Sequence, residues 1–237
     1  MKLFSAIQIQ TIDGCNLKCP WCPNSYRLQT GNLMDVALYQ KIIDQLAELE
    51  YQGRVSPYLM NESLLDKRLL DLVAYTRKKL PKADIMITTN GTLMTREYLL
   101  ELQQAGMSQV HVSCYTKALC DKIRGWEVQA VRLFSFFGSN IRGTRCWDNR
   151  GGNVDWGPRL SGPLEASCRH PFQQMYIDYQ GRAILCCSDY HRQVTMGSAA
   201  EEALVKIWNN EKYSRYRKLL GQHRRDLLAL CNKCNFK

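Results

Sequence analysis

The chain has 237 residues, 45% hydrophobic and 23% charged, an ordinary globular usage that excludes long disorder. That length suits one domain or one domain with a small appendage, and no apolar run approaches the roughly 20 residues of a membrane span. Lys and Arg outnumber Asp and Glu by 32 to 22, a net charge of +10 that favours acidic partners, although no long basic run stands out.

The first residues, Met1-Lys2-Leu3-Phe4, are too short and too polar for a signal peptide. The alternation Ile7-Gln8-Ile9-Gln10 reads as a first strand, about 6–12, of a cytoplasmic protein. A cysteine-rich loop follows. Asp35 is placed to N-cap a first helix, with Met34 and Tyr39 as a hydrophobic staple and Tyr39, Ile42, Ile43, Leu46 and Leu49 as its apolar stripe. Next come a strand at 54–59, a helix at 65–80 stopped by Pro81, and a strand at 84–89 ending in Asn90-Gly91. A helix at 95–105 with Gly106 as its C-cap, a strand at 109–113, a short helix near 117–123 and a strand at 131–137 complete the alternation. This is the pattern of a parallel α/β sheet. Gly151-Gly152, Gly157-Pro158 and Gly162-Pro163 break regular structure, so 151–167 reads as a linker between units 1–150 and 168–237. The second unit predicts a hairpin, 175–179 and 182–186 about Gln180-Gly181, then helices near 199–209 and 212–220. It is too small for a large core of its own, and a metal cluster would staple it.

Sites in such sheets form at the carboxyl ends of strands. The cysteine loop, Asn61-Glu62, Asn90-Gly91 and Ser113 all follow successive strands, so they are expected to converge on one mouth.

Eleven cysteines without an export signal make metal binding or thiol catalysis the default, because a reducing compartment disfavours disulfides. Three crowd together as Cys15-x3-Cys19-x2-Cys22, Cys231-x2-Cys234 lies near the C-terminus, and Cys168 and the pair Cys186-Cys187 lie between. A structural zinc wants four ligands, which Cys168, Cys186, Cys231 and Cys234 can supply, whereas the N-terminal trio leaves a fourth position open. Iron–sulfur clusters take thiolates at such short spacings. Cys114, Cys120 and Cys146 carry no motif and read as small buried hydrophobes.

Cys15-Asn16-Leu17-Lys18-Cys19-Pro20-Trp21-Cys22 resembles the CxxxCxxC signature of the radical S-adenosylmethionine (SAM) superfamily, in which an aromatic often precedes the last cysteine. Gly181-x4-Cys186, with Cys168 before it and Cys231-x2-Cys234 after it, resembles the twitch form of the SPASM extension. The resemblance implies a partial (β/α)6-type TIM barrel with a small C-terminal α+β twitch/SPASM-like cluster domain. It implies two 4Fe-4S clusters and SAM as cofactors, with a flavodoxin-like or ferredoxin-like electron donor. Cys15, Cys19 and Cys22 would hold three irons of the first cluster, whose fourth iron binds SAM. SAM cleavage would then yield a 5′-deoxyadenosyl radical that abstracts a substrate hydrogen atom. Cys168, Cys186, Cys231 and Cys234 would hold the auxiliary cluster, with Cys187 as the alternative to Cys186 or as a free thiol near the site.

The SAM contacts that the resemblance implies are Glu62 for the ammonium, Asn90 and Ser113 for the ribose or methionine part, Arg124 for the carboxylate, and Trp21 beside the cluster. The two glycines that usually precede the acidic residue are absent from Met60-Asn61-Glu62. On the substrate side, Arg150 is a donor fork suited to a hydroxyl, carboxylate or carbonyl, and Trp147 and Trp156 are candidate walls.

Two catalytic readings follow. The first is maturation of a ribosomal precursor peptide in natural-product biosynthesis, with a basic surface suited to an acidic leader. A separate leader-peptide recognition protein would be needed, because the chain lacks room for that domain. The second is a dehydrogenase or epimerase of an aminocyclitol or sugar in antibiotic biosynthesis. It rests on a likeness to the compact aminocyclitol dehydrogenases that includes Cys22-Pro23-Asn24-Ser25 and Asn149-Arg150-Gly151-Gly152. In an epimerase, Cys187 or Cys146 would return a hydrogen atom. A metal-stapled nucleic-acid binder is permitted by charge alone, and no base-stacking or groove-reading motif supports it.

Overall fold

A computed structural model describes residues 3–136, 148–155 and 160–236. Cys146, Trp147, Trp156 and Gly157-Pro158 lie outside them. The described strands are β1 (Ala6–Ile9), β2 (Arg54–Ser56), β3 (Asp84–Thr89), β4 (Gln109–Cys114), β5 (Val131–Ser135), β6 (Gln174–Ile177), β7 (Arg182–Ile184) and β8 (Thr195–Ser198). They form one sheet in the order β5-β4-β3-β2-β1-β6-β7-β8. Pairing is parallel from β5 through β6 and antiparallel at β6–β7 and β7–β8. The helices α1 (Val36–Glu48), α2 (Leu69–Lys79), α3 (Arg96–Gln104) and α4 (Lys117–Arg124) connect the first five strands, and α5 (His170–Gln173), α6 (Leu204–Trp208) and α7 (Glu211–Gly221) belong to the C-terminal part. No helix among the described residues is long and apolar enough to cross a membrane.

Local chemistry sets the helix ends. The Asp35 carboxylate accepts from the Leu38 amide at 3.1 Å, and Thr95 and Thr116 cap α3 and α4 in the same way. Helix α2 starts at Leu69 rather than near 65, because Ser63–Leu65 forms a 3-10 turn capped by the Glu62 side chain. Residues 199–203 form a turn, and β8 was not anticipated; its Gly197 has φ +150°. That strand is four residues long and pairs across an irregular register, so it leaves little periodicity to read.

The hydrophobic core does not stop at the expected linker. Ile7 and Ile9 of β1 and Tyr39, Ile42, Ile43 and Leu46 of α1 pack in one buried cluster with Met175, Ile177, Ile207, Trp208 and Tyr213. The sixth parallel strand therefore comes from the C-terminal part and adds beside β1, with Ile7 opposite Met175. The turn at Asn149 is also fastened to the tail. Its amide N–H donates to Asn235 Oδ1 at 2.7 Å, its Nδ2 donates to the Lys233 carbonyl at 2.6 Å, and its Oδ1 accepts from the Asn235 amide at 3.1 Å. Gly152, at φ +84°, lets this turn approach closely: a Cβ there would stand 2.7 Å from Lys233 Cβ.

A buried ionic knot ties the cysteine loop to the β7–β8 region. Asp13 accepts from Arg27 Nη2 at 2.5 Å and Arg192 Nη2 at 3.1 Å, and also from the Thr30 amide and hydroxyl. Arg192 donates from Nε to Asp178 at 2.9 Å. Burial opposes the Asp13 charge, but Arg27 and Thr30 outweigh it and hold its pKa well below the usual carboxylate range. A carboxylate with a depressed folded-state pKa contributes its stability fully above the ordinary value of 3.8 and loses it as the pH falls below that value. Asp13→Ala, which leaves Arg27 without a carboxylate and Arg192 with Asp178 alone, is expected to destabilise by about 3–5 kcal/mol. Loss of the Asp35 cap in Asp35→Ala is expected to cost about 1 kcal/mol. Urea unfolding of both variants measures the difference.

Candidate functional site

The loop after β1 has little regular structure and is held by side chains. The Cys15 amide donates to Gln29 Oε1 at 2.6 Å, Gln29 Nε2 donates to the Asn24 carbonyl at 2.7 Å, and Ser25 Oγ donates to the Cys19 carbonyl at 2.7 Å. Asn24 Nδ2 reaches the Met60 carbonyl after β2. These bonds turn Cys15, Cys19 and Cys22 toward one cavity of about 370 Å3 at the carboxyl ends of the strands. Burial, with Cys22 and Cys15 close by, pushes the Cys19 thiol up to about 11. Three desolvated thiols that repel one another as thiolates suit a cationic centre.

Of the expected cofactor contacts, Trp21, Glu62, Asn90 and Ser113 line this cavity. Glu62 is 2% exposed. Its Oε1 accepts from Thr89 Oγ1 at 2.5 Å and the Leu64 amide at 3.1 Å, and its Oε2 accepts from the Asn90 amide at 2.7 Å. Burial raises its pKa, and these donors only partly offset the rise, so a cation beside it would be welcome. The Asn90 side chain is engaged with its own chain: Nδ2 donates to Asn16 Oδ1 at 2.8 Å, and Oδ1 accepts from Thr92 Oγ1 at 2.6 Å. It braces the cysteine loop. The Trp21 ring lies 5.5 Å from that of Tyr115, which lies 5.9 Å from Phe136, an aromatic wall that the spacing of the motif did not announce.

Arg124 is the exception. It does not line the cavity; on α4 its Nη1 pairs with Asp121 at 2.8 Å, and its side chain is 62% exposed. Residues three apart on a helix meet, and this pair takes the guanidinium away from the expected carboxylate contact.

Arg150 and Cys187 enter the same cavity from the C-terminal part. Arg150 adopts φ +49°, its amide donates to Asp148 Oδ1 at 2.7 Å, and its Nη1 stands 3.5 Å from Asp148 Oδ2. Burial works against its charge, but Tyr190, Asp148 and Cys187 outweigh this and raise its pKa. Burial also pushes the Cys187 thiol up to about 11, despite Arg150 nearby, so it is a neutral thiol. Tyr190, which also lines the cavity, has no sequence signal.

Cys186, one residue earlier, packs against the main core and, beside Cys187 and Tyr190, against the small cluster of Leu59, Met60, Tyr176 and Ile184; burial, then Cys187, Cys231 and Cys234, raise its pKa. Burial, Cys234 and Cys168 together push Cys231 up to about 12. Both cysteines lie beyond the end of β7, Cys187 in a turn, and of the two Cys187 lines the cavity. The segments carrying Cys168 and Cys234 are joined by a residue that the sequence did not flag, Arg225, 1% exposed. Among the described residues no three His, Cys, Asp or Glu side chains are grouped to hold one metal ion. A cubane takes one thiolate on each iron, a donor set that Cys168, Cys186, Cys231 and Cys234 can supply.

Comparison with known proteins places these features in context. Residues 9–117 match the Radical SAM superfamily, and residues 168–235 match SPASM, an iron–sulfur cluster-binding domain. The chain is 32% identical, over 99% of its length and 94% of the relative, to the S-adenosyl-L-methionine-dependent 2-deoxy-scyllo-inosamine dehydrogenase of Niallia circulans. Its structure resembles that of BtrN in complex with AdoMet and 2-DOIA, with a TM-score of 0.88 at 30% identity, covering 99% of this chain and 94% of that one. The native anSMEcpe with bound AdoMet shares the fold at 12% identity, with a TM-score of 0.63 and coverage of 95% and 87%.

The two adjacent cysteines give opposite expectations. Cys186→Ala should lose the auxiliary iron after anaerobic reconstitution, whereas Cys187→Ser should retain iron at the parent level, as read by iron and sulfide analysis.

Proposed function

Because the chain belongs to the radical SAM superfamily and carries a SPASM domain, with SAM and two 4Fe-4S clusters as its cofactors, we propose that it dehydrogenates a small ring alcohol of the aminocyclitol class. The observation that carries this reading is the 32% identity spanning 99% of the chain to a dehydrogenase of that class.

When bound, the first cluster and SAM supply a one-electron reduction and a 5′-deoxyadenosyl radical for hydrogen abstraction. Cys15, Cys19 and Cys22 would hold that cluster, and Cys168, Cys186, Cys231 and Cys234 the auxiliary one. Glu62 accepts from the SAM ammonium with the lone pairs that Thr89, Leu64 and Asn90 leave. Asn90 keeps the cysteine loop in register through Asn16. Trp21 and Ser113 wall the cofactor side, and Arg150 offers its fork to a substrate oxygen. Once the hydrogen atom on carbon is gone, completing the ketone releases the hydroxyl proton to solvent and a second electron. Cys186 in the auxiliary set and Cys187 on the cavity wall are consecutive residues, so the substrate side and an electron acceptor are near neighbours. The first electron comes from a flavodoxin-like or ferredoxin-like donor.

The precursor-peptide reading, with its leader-recognition partner, rests on the net charge of +10 and on 28% identity over 51% of the chain to a PqqA peptide cyclase, a shorter match than the one to the dehydrogenase. An epimerase is the second reading, because Cys187 puts a neutral thiol on the cavity wall.

Anaerobic incubation of the reconstituted enzyme with SAM, reductant and 2-deoxy-scyllo-inosamine should yield 5′-deoxyadenosine and a ketone lighter by one hydrogen molecule. A product of unchanged mass carrying solvent deuterium in D2O, lost in Cys187→Ser, would replace dehydrogenation by epimerisation. Joint replacement of Cys15, Cys19 and Cys22 by Ala should abolish 5′-deoxyadenosine formation. Glu62→Gln should weaken SAM binding about tenfold or more, read by equilibrium dialysis, as expected for loss of a charge-assisted bond.

A further inference from the structure

Arg225 is the bulkiest fully buried side chain among the described residues, 1% exposed, and none of those residues gives it a carboxylate partner. Its guanidinium is instead surrounded by carbonyls. Nε donates to Ala166 O at 2.7 Å, Nη2 to Ser167 O at 2.8 Å, and Nη1 to Phe236 O at 2.8 Å and, more weakly, to Cys234 O at 3.4 Å. Ser167 immediately precedes Cys168, so one planar fork grips the chain beside two of the four auxiliary cysteines. The neighbouring Arg224 differs: it is paired with Asp226 at 2.7 Å on the surface.

Carbonyl dipoles satisfy the hydrogen bonds of a guanidinium without neutralising it. A formal positive charge with no counter-ion is costly to bury. Four thiolates around a 4Fe-4S core carry a net negative charge, and one-electron reduction makes it more negative. A fixed cation beside the ligands stabilises the reduced form more than the oxidised one.

From this geometry we infer that Arg225 is the internal counter-charge of the auxiliary cluster, a positioning residue that aligns the Cys168 and Cys234 segments and raises the cluster's reduction potential. A higher potential makes the cluster a better acceptor for the second electron of an oxidation. The inference rests on the reading of Cys168, Cys186, Cys231 and Cys234 as the auxiliary ligands.

The test uses a parent in which Cys15, Cys19 and Cys22 are all replaced by Ala, so that only the auxiliary cluster is present. If that parent binds no iron, the ligand reading itself fails, independently of Arg225. Given an iron-loaded parent, Arg225→Gln removes the charge but keeps an amide donor, and Arg225→Lys keeps the charge but loses the fork. An EPR-monitored redox titration should show a more negative midpoint potential in the Gln variant and a midpoint near the parent's in the Lys variant. An unchanged midpoint in the Gln variant overturns the inference, as does an equal negative shift in the Lys variant. Loss of iron from the Gln variant alone, with the Lys variant still loaded, also supports a counter-charge.

Discussion

The Asp13 carboxylate stands two residues before the first cluster cysteine and accepts from Arg27 in its own loop and from Arg192 far along the chain. Arg192 is held in turn by Asp178 at the end of β6. Neither guanidinium can leave without exposing a buried charge, so the start of the cysteine loop and the β7–β8 region are fixed relative to one another. The parallel pairing of β1 with β6 and the shared core of α1, α6 and α7 reinforce this registration. The position of the cysteine loop relative to Arg150 and Cys187 follows from it.

The cavity is consequently built by both parts of the chain. The carboxyl ends of the early strands contribute Glu62, Asn90 and Ser113, and the C-terminal part contributes Arg150, Cys187 and Tyr190. Gly152 matters here although it touches no cavity: its left-handed backbone allows the Arg150 turn to sit against Lys233, and Asn149 locks it there. The turn that offers Arg150 to the cavity is thus held against Lys233 and Asn235, the residues on either side of Cys234. Beyond the end of β7, Cys186 packs on the main core and Cys187 lines the cavity.

Much of this was legible in the sequence because it is local. The Asp35 cap and apolar periodicity located most helices to within a few residues, except where the Glu62 cap diverted the start of α2 into a 3-10 turn and where residues 199–203 form a turn before α6. The convergence of Glu62, Asn90 and Ser113 followed from the rule that loops after parallel strands share one end of the sheet. Arg124, the last residue of α4, is paired with Asp121 three residues earlier on the same helix, a competition that only the helix geometry displays. Asn90 likewise carried an amide with the right chemistry, but the structure engages it with Asn16 and Thr92.

The sequence alone determined the chemistry: thiolate spacings, strand and helix order and the acidic residue after β2 are properties of neighbours along the chain, and short-range sterics and hydrogen bonding enforce them. Only the tertiary structure decided which distant groups meet. The partnership of Asp13 with Arg192, the seating of Gly152 against Lys233, the aromatic wall of Trp21, Tyr115 and Phe136, and the Arg225 fork between Ser167 and Phe236 join residues separated by long stretches of chain. Such contacts depend on shape and on satisfying buried polar groups once the sheet has formed, and no local pattern of residues encodes them.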